Sequence, residues 1–230
     1  MLKSKFPQFL PLICSQIRNV TTTINNQEIE KFRKFSSKWW NGPEFAPLRA
    51  MNHLRVPLVT EQFYSDHSLQ GIKLLDIGSG GGFLSEALAR LGADVTGIDP
   101  LEENIRVASD HSLISFRKEP NKAPNYVCST IEDFCLSSEN IETFDGVIAS
   151  EVLEHVDNIS LFLKSLVKCI KPGGYFFVTT INQTPIAYLA AIFAAENILG
   201  LAPKGTHQYE KFVPPHALNL VLRDCKLFYF

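Results

Sequence analysis

From residue 72 onward, apolar and polar positions alternate between two periods. Short apolar runs bounded by glycine or proline mark buried strands, and apolar residues three and four apart mark helices. The run "IKLLDIG" (72–78) reads as a strand ending in glycine. "FLSEALARLG" (83–92) follows as an amphipathic helix, with Leu84, Ala87, Leu88 and Leu91 on one face and Gly92 closing it. "ADVTGIDP" (93–100) is a second strand broken by Pro100, and "EENIRVASDHS" (102–112) a second helix. "NYVCSTIED" (125–133) and "FDGVIASE" (144–151) read as strands three and four. "NISLFLKSLVKCIKPGG" (158–174) reads as a helix of four to five turns stopped by Pro172 and Gly173, and "GYFFVTTIN" (174–182) as strand five. Strands alternating with helices predict an α/β fold, a parallel sheet covered on both faces.

Two flanks lie outside this alternation. Residues 28–68 read as helical and carry "KWWNGPEFAPLRAMNHLR". After strand five, "PIAYLAAIFAAENILGLAPKGTHQY" (185–209) reads as an apolar helix and a polar loop. In open α/β sheets ligands bind beyond the carboxyl ends of the strands. Both flanks are therefore candidates for a lid over a site there.

Composition narrows the class. The 230 residues are 45% apolar and 20% charged with a net charge of −2, which gives no basic excess for a nucleic-acid partner. The chain length suits one domain with a proper core. Cys14, Cys128, Cys135, Cys169 and Cys225 form no C-x-x-C and read as reduced thiols in a reducing compartment. The first 27 residues carry Lys3, Lys5 and Arg18 and no acid before Glu28. A basic, acid-free start of this kind fits a mitochondrial transit peptide over 1–27, ahead of a main domain over 28–230.

The first strand-to-helix turn carries the first chemical signal. "LLDIGSGGGF" places Gly78, Gly80 and Gly82 in a row, where glycine permits a tight turn and close backbone approach to a ligand. The spacing is G-x-G-x-G; the dinucleotide fingerprint would need glycine at Phe83. Asp99 ends strand two, where a carboxylate can accept two hydrogen bonds from ribose hydroxyls. Loop and acid together predict a nucleoside ligand. The second signal is "IASEVLEHVDN" (148–158). On a helix, Glu151, Glu154 and His155 share one face, which suits either a negatively charged helix start or a metal site. In the first case His155 is a candidate general base or a packing residue.

D-x-G-x-G-x-G followed by an acid at the end of strand two resembles the class I S-adenosylmethionine-dependent methyltransferases. More narrowly, "KWWNGPEFAPLRAMNHLR", "LDIGSGGGFLSEALARLGADVTGID", "SEVLEHV", "KPGG" and "PKGTHQYEKFV" resemble the ubiquinone-biosynthesis O-methyltransferases over roughly residues 28–225. The resemblance implies a Rossmann-like sheet. It implies donor contacts at Arg55, Gly78, Asp99 and Ser150, with Arg55 forked onto the methionine carboxylate. It also implies a divalent cation, usually magnesium, on Glu151, Glu154 and His155, acting as a Lewis acid on a catechol-type substrate. A histidine ligand suits zinc or manganese better than magnesium, so the expected site is loose and completed by water and substrate.

The implied reaction is O-methylation of polyprenylated hydroxybenzene intermediates of ubiquinone. The implied setting is peripheral, on the matrix side of the mitochondrial inner membrane, within a biosynthetic complex. Ile186, Leu189, Ile192, Phe193 and Leu199 are the expected membrane-touching surface. Asn41 and His53 depart from the family's usual residues. A fold of this class normally adds two strands after "PPHALNLVLRDC" (214–225), whereas "KLFYF" (226–230) supplies about one, so the sheet is expected to be shortened there. The alternatives are a methyltransferase of another small catechol or acid, and an inactive shortened form that binds partner proteins.

Overall fold

The computed structural model describes residues 22–63, 68–180 and 222–223. Five parallel strands form one sheet: β1 (Lys73–Ile77), β2 (Asp94–Asp99), β3 (Asn125–Cys128), β4 (Phe144–Ser150) and β5 (Ile170–Thr179). Their spatial order is β3-β2-β1-β4-β5. The chain works outward from β1 through β2 to β3, then returns to the other side of β1 for β4. The order reverses between β1 and β4. That reversal opens a crevice at the carboxyl ends of these two strands, where ligands bind in such sheets.

Alternation along each strand divides the core into two layers. Leu75, Ile77, Val147, Ala149 and Ile98 face one layer, packed against Phe162, Leu163 and Leu166 of α7 (Ile159–Val167) and Phe134 of α6 (Ile131–Phe134). Leu74, Val95 and Ile148 face the other, packed against Leu84, Leu88 and Ala89 of α4 (Phe83–Arg90) and Val59. α5 (Glu102–Ser115) crosses from β2 to β3. Burial on both faces explains why the strands read as apolar runs and not as alternating ones.

Three elements differ from the sequence expectation. The helix predicted over 158–174 ends at Val167, and β5 begins at Ile170. Backbone amides of Glu142, Thr143 and Phe144 donate to the carbonyls of Lys168 and Cys169, which draws this stretch out of the helix and beside β4. Pro172 disfavours helical backbone at the residue before it. It and Gly173, with φ +80°, fall inside a bulge where Phe144 pairs with Ile170 but Gly146 with Tyr175. β3 stops at Cys128, because the Thr130 hydroxyl then accepts from the Asp133 amide and caps α6. The helical region before the sheet is broken into α1 (Asn26–Arg33), α2 (Ala46–Ala50) and α3 (Asn52–Thr60), with tight turns at Ser36–Lys38 and Pro43–Phe45.

The N-terminal strap is part of this fold. Thr23 is buried and donates its hydroxyl to Glu132 Oε1 at 2.7 Å. Ile24 bridges to Val156, the Asp157 amide donates to the Thr23 carbonyl, and Asn25 Nδ2 donates to Asp157 Oδ1 at 2.7 Å. Asn25 Oδ1 accepts from the amides of Gln27 and Glu28, the first free donors of α1. The leader boundary expected at residue 27 thus falls inside a packed segment. Residues 1–21, the apolar segment 185–209 and nearly all of 214–230 lie outside the described residues, and with them most of the expected leader, the expected membrane-touching surface and the expected shortened final strands. No helix among the described residues is long and apolar enough to cross a membrane. Cys128, Cys135 and Cys169 are free thiols.

Leu75 is fully buried at the centre of β1. Leu75→Ala is expected to lower the unfolding free energy by about 2–5 kcal/mol, the range for a cavity in a packed core. Urea denaturation with an unchanged slope measures it, and a loss under about 1 kcal/mol contradicts this packing.

Candidate active site

The glycine loop is pinned to the neighbouring strand. The amides of Gly78 and Ser79 both donate to the Ile98 carbonyl, at 2.8 and 3.0 Å. This bends the chain sharply as it leaves β1, and Gly78 and Gly80 take φ of +69° and +54°. A side chain at Gly78 would also meet the Val152 methyl, 2.6 Å from the Cβ position. Backbone angle and clearance together require glycine there. The loops after β1 and β4 therefore touch across the crevice.

Asp99, at the end of β2, is nearly enclosed. Its Oδ1 accepts from the Leu101 amide at 2.9 Å and from Asn104 Nδ2 at 3.2 Å, and its Oδ2 accepts from the Gly80 amide at 3.0 Å. A carboxylate offers about four acceptor positions. One remains, on Oδ2, so the pair of ribose hydrogen bonds expected from sequence requires one existing bond to be shared. Burial pushes the Asp99 pKa up to about 6 against the pull of these three donors. Asp76, on the α4 side of β1, is also raised to about 6 by burial, although the Ser85 hydroxyl donates to its Oδ2 at 2.5 Å.

Arg55 and Ser150 are brought together. Arg55 is buried on α3, and its Nη1 donates to Ser150 Oγ at 3.1 Å. Its Nη2 donates to the Leu48 carbonyl and to Asn52 Oδ1. Its Nε is buried without a hydrogen-bond partner in the structure. A guanidinium with an unused buried donor suits an anionic ligand group.

The expected helix through Glu151, Glu154 and His155 is not formed. Glu151 takes φ +56° as β4 ends, and Leu153–His155 form a single tight turn. The one-face spacing of an α-helix therefore does not apply. Glu154 is buried and accepts from the Thr180 hydroxyl at 3.0 Å. Burial, followed by the nearby Glu151 charge, raises its pKa to about 7. His155 Nδ1 lies 3.0 Å from Glu28 Oε2 of α1, and its ring packs edge-on to Phe32. Burial raises the Glu28 pKa, but His155 and then Lys31 outweigh it and hold the carboxyl at about 2. Among the described residues, no three His, Cys, Asp or Glu side chains gather as a group that could hold a metal.

A cavity of about 640 Å³ joins these parts except Arg55, which reaches its wall only through Ser150. Gly78, Gly80, Asp99, Ser150, Glu151 and His155 line one portion, and Ile29, Phe32, Phe35, Phe45, Leu48 and Met51 line another. The strap and α1 supply much of the apolar wall. Sequence reasoning missed Glu28, Asn104 and Trp39 as parts of this site. Glu28 meets His155 across 127 residues of chain, a pairing no local pattern encodes. Trp39 and Trp40 stood out in the sequence, but nothing there gave them a contact.

The raised carboxyls have a consequence for stability. Between the ordinary value of 3.8 and about 6, the folded chain holds protons on Asp76 that the unfolded chain has released. Stability from this group therefore falls as pH rises through that window and is level above it. Asp76→Asn keeps an acceptor for Ser85 but cannot titrate. The stability of the unsubstituted chain relative to Asp76→Asn is expected to drop from about pH 4 to about pH 6 in denaturant titrations. A difference independent of pH contradicts the burial of this charge.

A family model described as a methyltransferase domain matches residues 51–225. The mitochondrial ubiquinone biosynthesis O-methyltransferase of Rattus norvegicus is 42% identical over 216 residues, covering 90% of this chain and 61% of the relative. That of Homo sapiens is 43% identical, covering 88% and 56%. The chain thus spans little more than half the length of these mammalian relatives. The ubiquinone biosynthesis O-methyltransferase of Rhizobium etli is 43% identical, covering 86% of this chain and 80% of the relative. Among solved structures, magnesium protoporphyrin IX methyltransferase from Synechocystis PCC 6803 with bound SAH shares the fold at TM-score 0.60 and 18% identity, covering 87% and 84%. With a methyltransferase domain across most of its length and such identity over most of the bacterial protein, the chain belongs to the ubiquinone biosynthesis O-methyltransferase family.

Proposed function

We propose that this chain transfers a methyl group from S-adenosylmethionine to a phenolic oxygen of a polyprenylated catechol-type acceptor in ubiquinone biosynthesis. The observation that carries the reading is the continuity of one cavity from the pinned glycine loop and Asp99 to the apolar wall of α1. The polar portion suits a nucleoside with a charged amino-acid tail. Gly78 and Gly80 let the backbone approach it closely, and the free position on Asp99 Oδ2 accepts from a ribose hydroxyl. Arg55, through its unused Nε and its hold on Ser150, suits the carboxylate. S-Adenosylmethionine when bound supplies an electrophilic sulfonium methyl. The protein then has to align an acceptor oxygen with that methyl, and alignment accounts for most of the acceleration in such a transfer.

The acceptor oxygen must lose its proton. A cation on Glu151, Glu154 and His155 does not fit the described arrangement, because Glu154 is turned to Thr180, His155 is engaged by Glu28, and no three-donor group forms. His155 is the better assignment. An Nδ1–H donating to Glu28 leaves Nε2 as the basic nitrogen, on a ring that lines the cavity. The paired carboxylate stabilises the charge that the ring takes up.

The mammalian relatives are named as mitochondrial, which supports a mitochondrial setting here. A peripheral contact with the matrix side of the inner membrane, and membership of a biosynthetic complex, belong to the same proposal. They follow from the chemistry of a prenylated acceptor, which resides in lipid.

Two results test the reading. Asp99→Ala is expected to weaken S-adenosylmethionine binding by roughly 1.5–3 kcal/mol, the scale of a hydrogen bond to a charged acceptor. Calorimetry measures it, and unchanged affinity removes Asp99 from the donor site.

The second is a transfer assay on the whole chain with a short-prenyl catechol. His155→Gln is expected to lower kcat by about 100-fold or more with little change in donor affinity, as for loss of a general base. EDTA should leave the unsubstituted chain active. Turnover lost in EDTA and restored by magnesium contradicts the base assignment and returns the three residues to a cation.

A further inference from the structure

The Asp99 carboxylate is held from outside the sheet by a chain of side chains that begins in the N-terminal cap. Trp39 Nε1 donates to Asn104 Oδ1 at 2.8 Å, and both side chains are buried. Asn104 Nδ2 then donates to Asp99 Oδ1 at 3.2 Å. The direction of this relay is fixed by chemistry. An indole N–H can only donate and a carboxylate can only accept, so the amide between them must turn its oxygen to Trp39 and its nitrogen to Asp99. No alternative amide orientation satisfies both neighbours.

The same tryptophan rests on the donor loop. A Cβ at Gly80 or Gly81 would lie 2.5 Å from atoms of the Trp39 side chain, so those glycines leave room for it. Phe45 stacks on the Trp39 ring at 4.1 Å between centroids, and Phe83 meets it edge-on. Trp40 reinforces the contact: its Nε1 donates to the Gly81 carbonyl at 2.9 Å, and its ring stacks on His111 at 3.4 Å. Loop and ribose acid are thus both braced by residues that precede the sheet by more than thirty positions.

We propose that Trp39 and Asn104 are positioning residues of the donor site, acting in series to aim Asp99 at the ribose. This rests on the donor reading given above. Asn104 and the Leu101 amide occupy Oδ1 and hold it inward. That leaves Oδ2, shared with the Gly80 amide, as the oxygen that faces ligand. Without the indole donor, the Asn104 amide is free to rotate, Asp99 loses a defined partner, and the free acceptor position is no longer held in one direction. Trp39 and Asn104 also line the cavity, so the effect that passes through Asp99 is the one confined to a ligand with ribose hydroxyls.

The test is a double-substitution cycle read by calorimetry with S-adenosylhomocysteine and with its 2′,3′-dideoxy analogue. Trp39→Phe keeps an aromatic ring beside Gly81 and removes the donor together with the part of the indole that meets Gly80, so the dideoxy analogue is the control for lost packing. That substitution is expected to weaken S-adenosylhomocysteine binding by about 5-fold, and Asn104→Ala by about 10-fold, the scale of one buried hydrogen bond. The double variant should bind no more weakly than Asn104→Ala alone, because the relay is already broken. With the dideoxy analogue, Asn104→Ala should not matter, and Trp39→Phe should cost clearly less than it does with S-adenosylhomocysteine. A tryptophan that serves packing alone would weaken both ligands equally. Wild-type affinity in Trp39→Phe, or losses that multiply in the double variant, overturns the relay. If Trp39→Phe fails to fold, Asn104→Ser decides: it should discriminate between the two ligands, and equal affinity loss for both overturns the proposal. An unsubstituted chain that binds neither ligand refutes the donor reading itself.

Discussion

The hydrogen bond from the Gly80 amide to the Asp99 carboxylate joins the two loops on which the candidate site is built. Two backbone bonds to Ile98 tie the same loop beside the end of β2. Those bonds require positive φ at Gly78 and Gly80, which only glycine adopts without strain. The loop then lies against the end of β2 and its amides line a crevice. From that constraint follow the place of the cavity, the burial of Asp99 and the close seat of Trp39 on the loop.

The reversal of strand order supplies the second half of the site. Because β4 returns beside β1, the turn after β4 faces the glycine loop, with Val152 against Gly78. Glu151 arrives there in left-handed backbone at the end of β4, and Glu154 and His155 on a tight turn and not on a helix. Glu154 turns into the fold and His155 turns toward α1. The strap that carries Glu28 is itself held by Thr23 on Glu132 and Asn25 on Asp157. The apolar end of the cavity therefore depends on contacts of the first described residues with α6 and with the turn before α7.

Much of this was legible in the chain. The parallel sheet, its buried strands, the helix α4 and the glycine-and-acid pair of Gly78 and Asp99 follow from local period and spacing, and the structure places them accordingly. Arg55 and Ser150 were named from resemblance, and the structure puts them in contact. The failures share a cause. Whether "EVLEH" is a helix depends on Glu151 adopting left-handed backbone at a strand end, and whether "CIKPGG" is a helix depends on β4 offering it hydrogen bonds. Both are decided by tertiary partners that local pattern does not contain. The Glu28–His155 pair and the Trp39–Asn104–Asp99 relay join residues 127 and 65 positions apart at their longest steps, and only the fold brings them together.

Everything proposed for this chain rests on one binding event, a methyl donor's nucleoside held by the pinned loop and Asp99. Isothermal titration of the whole chain with S-adenosylmethionine measures it most directly. One molecule is expected to bind per chain, with S-adenosylhomocysteine competing for the same site and affinity lost in Gly80→Ala. Saturation absent at millimolar donor, or binding that ignores that substitution, would contradict it.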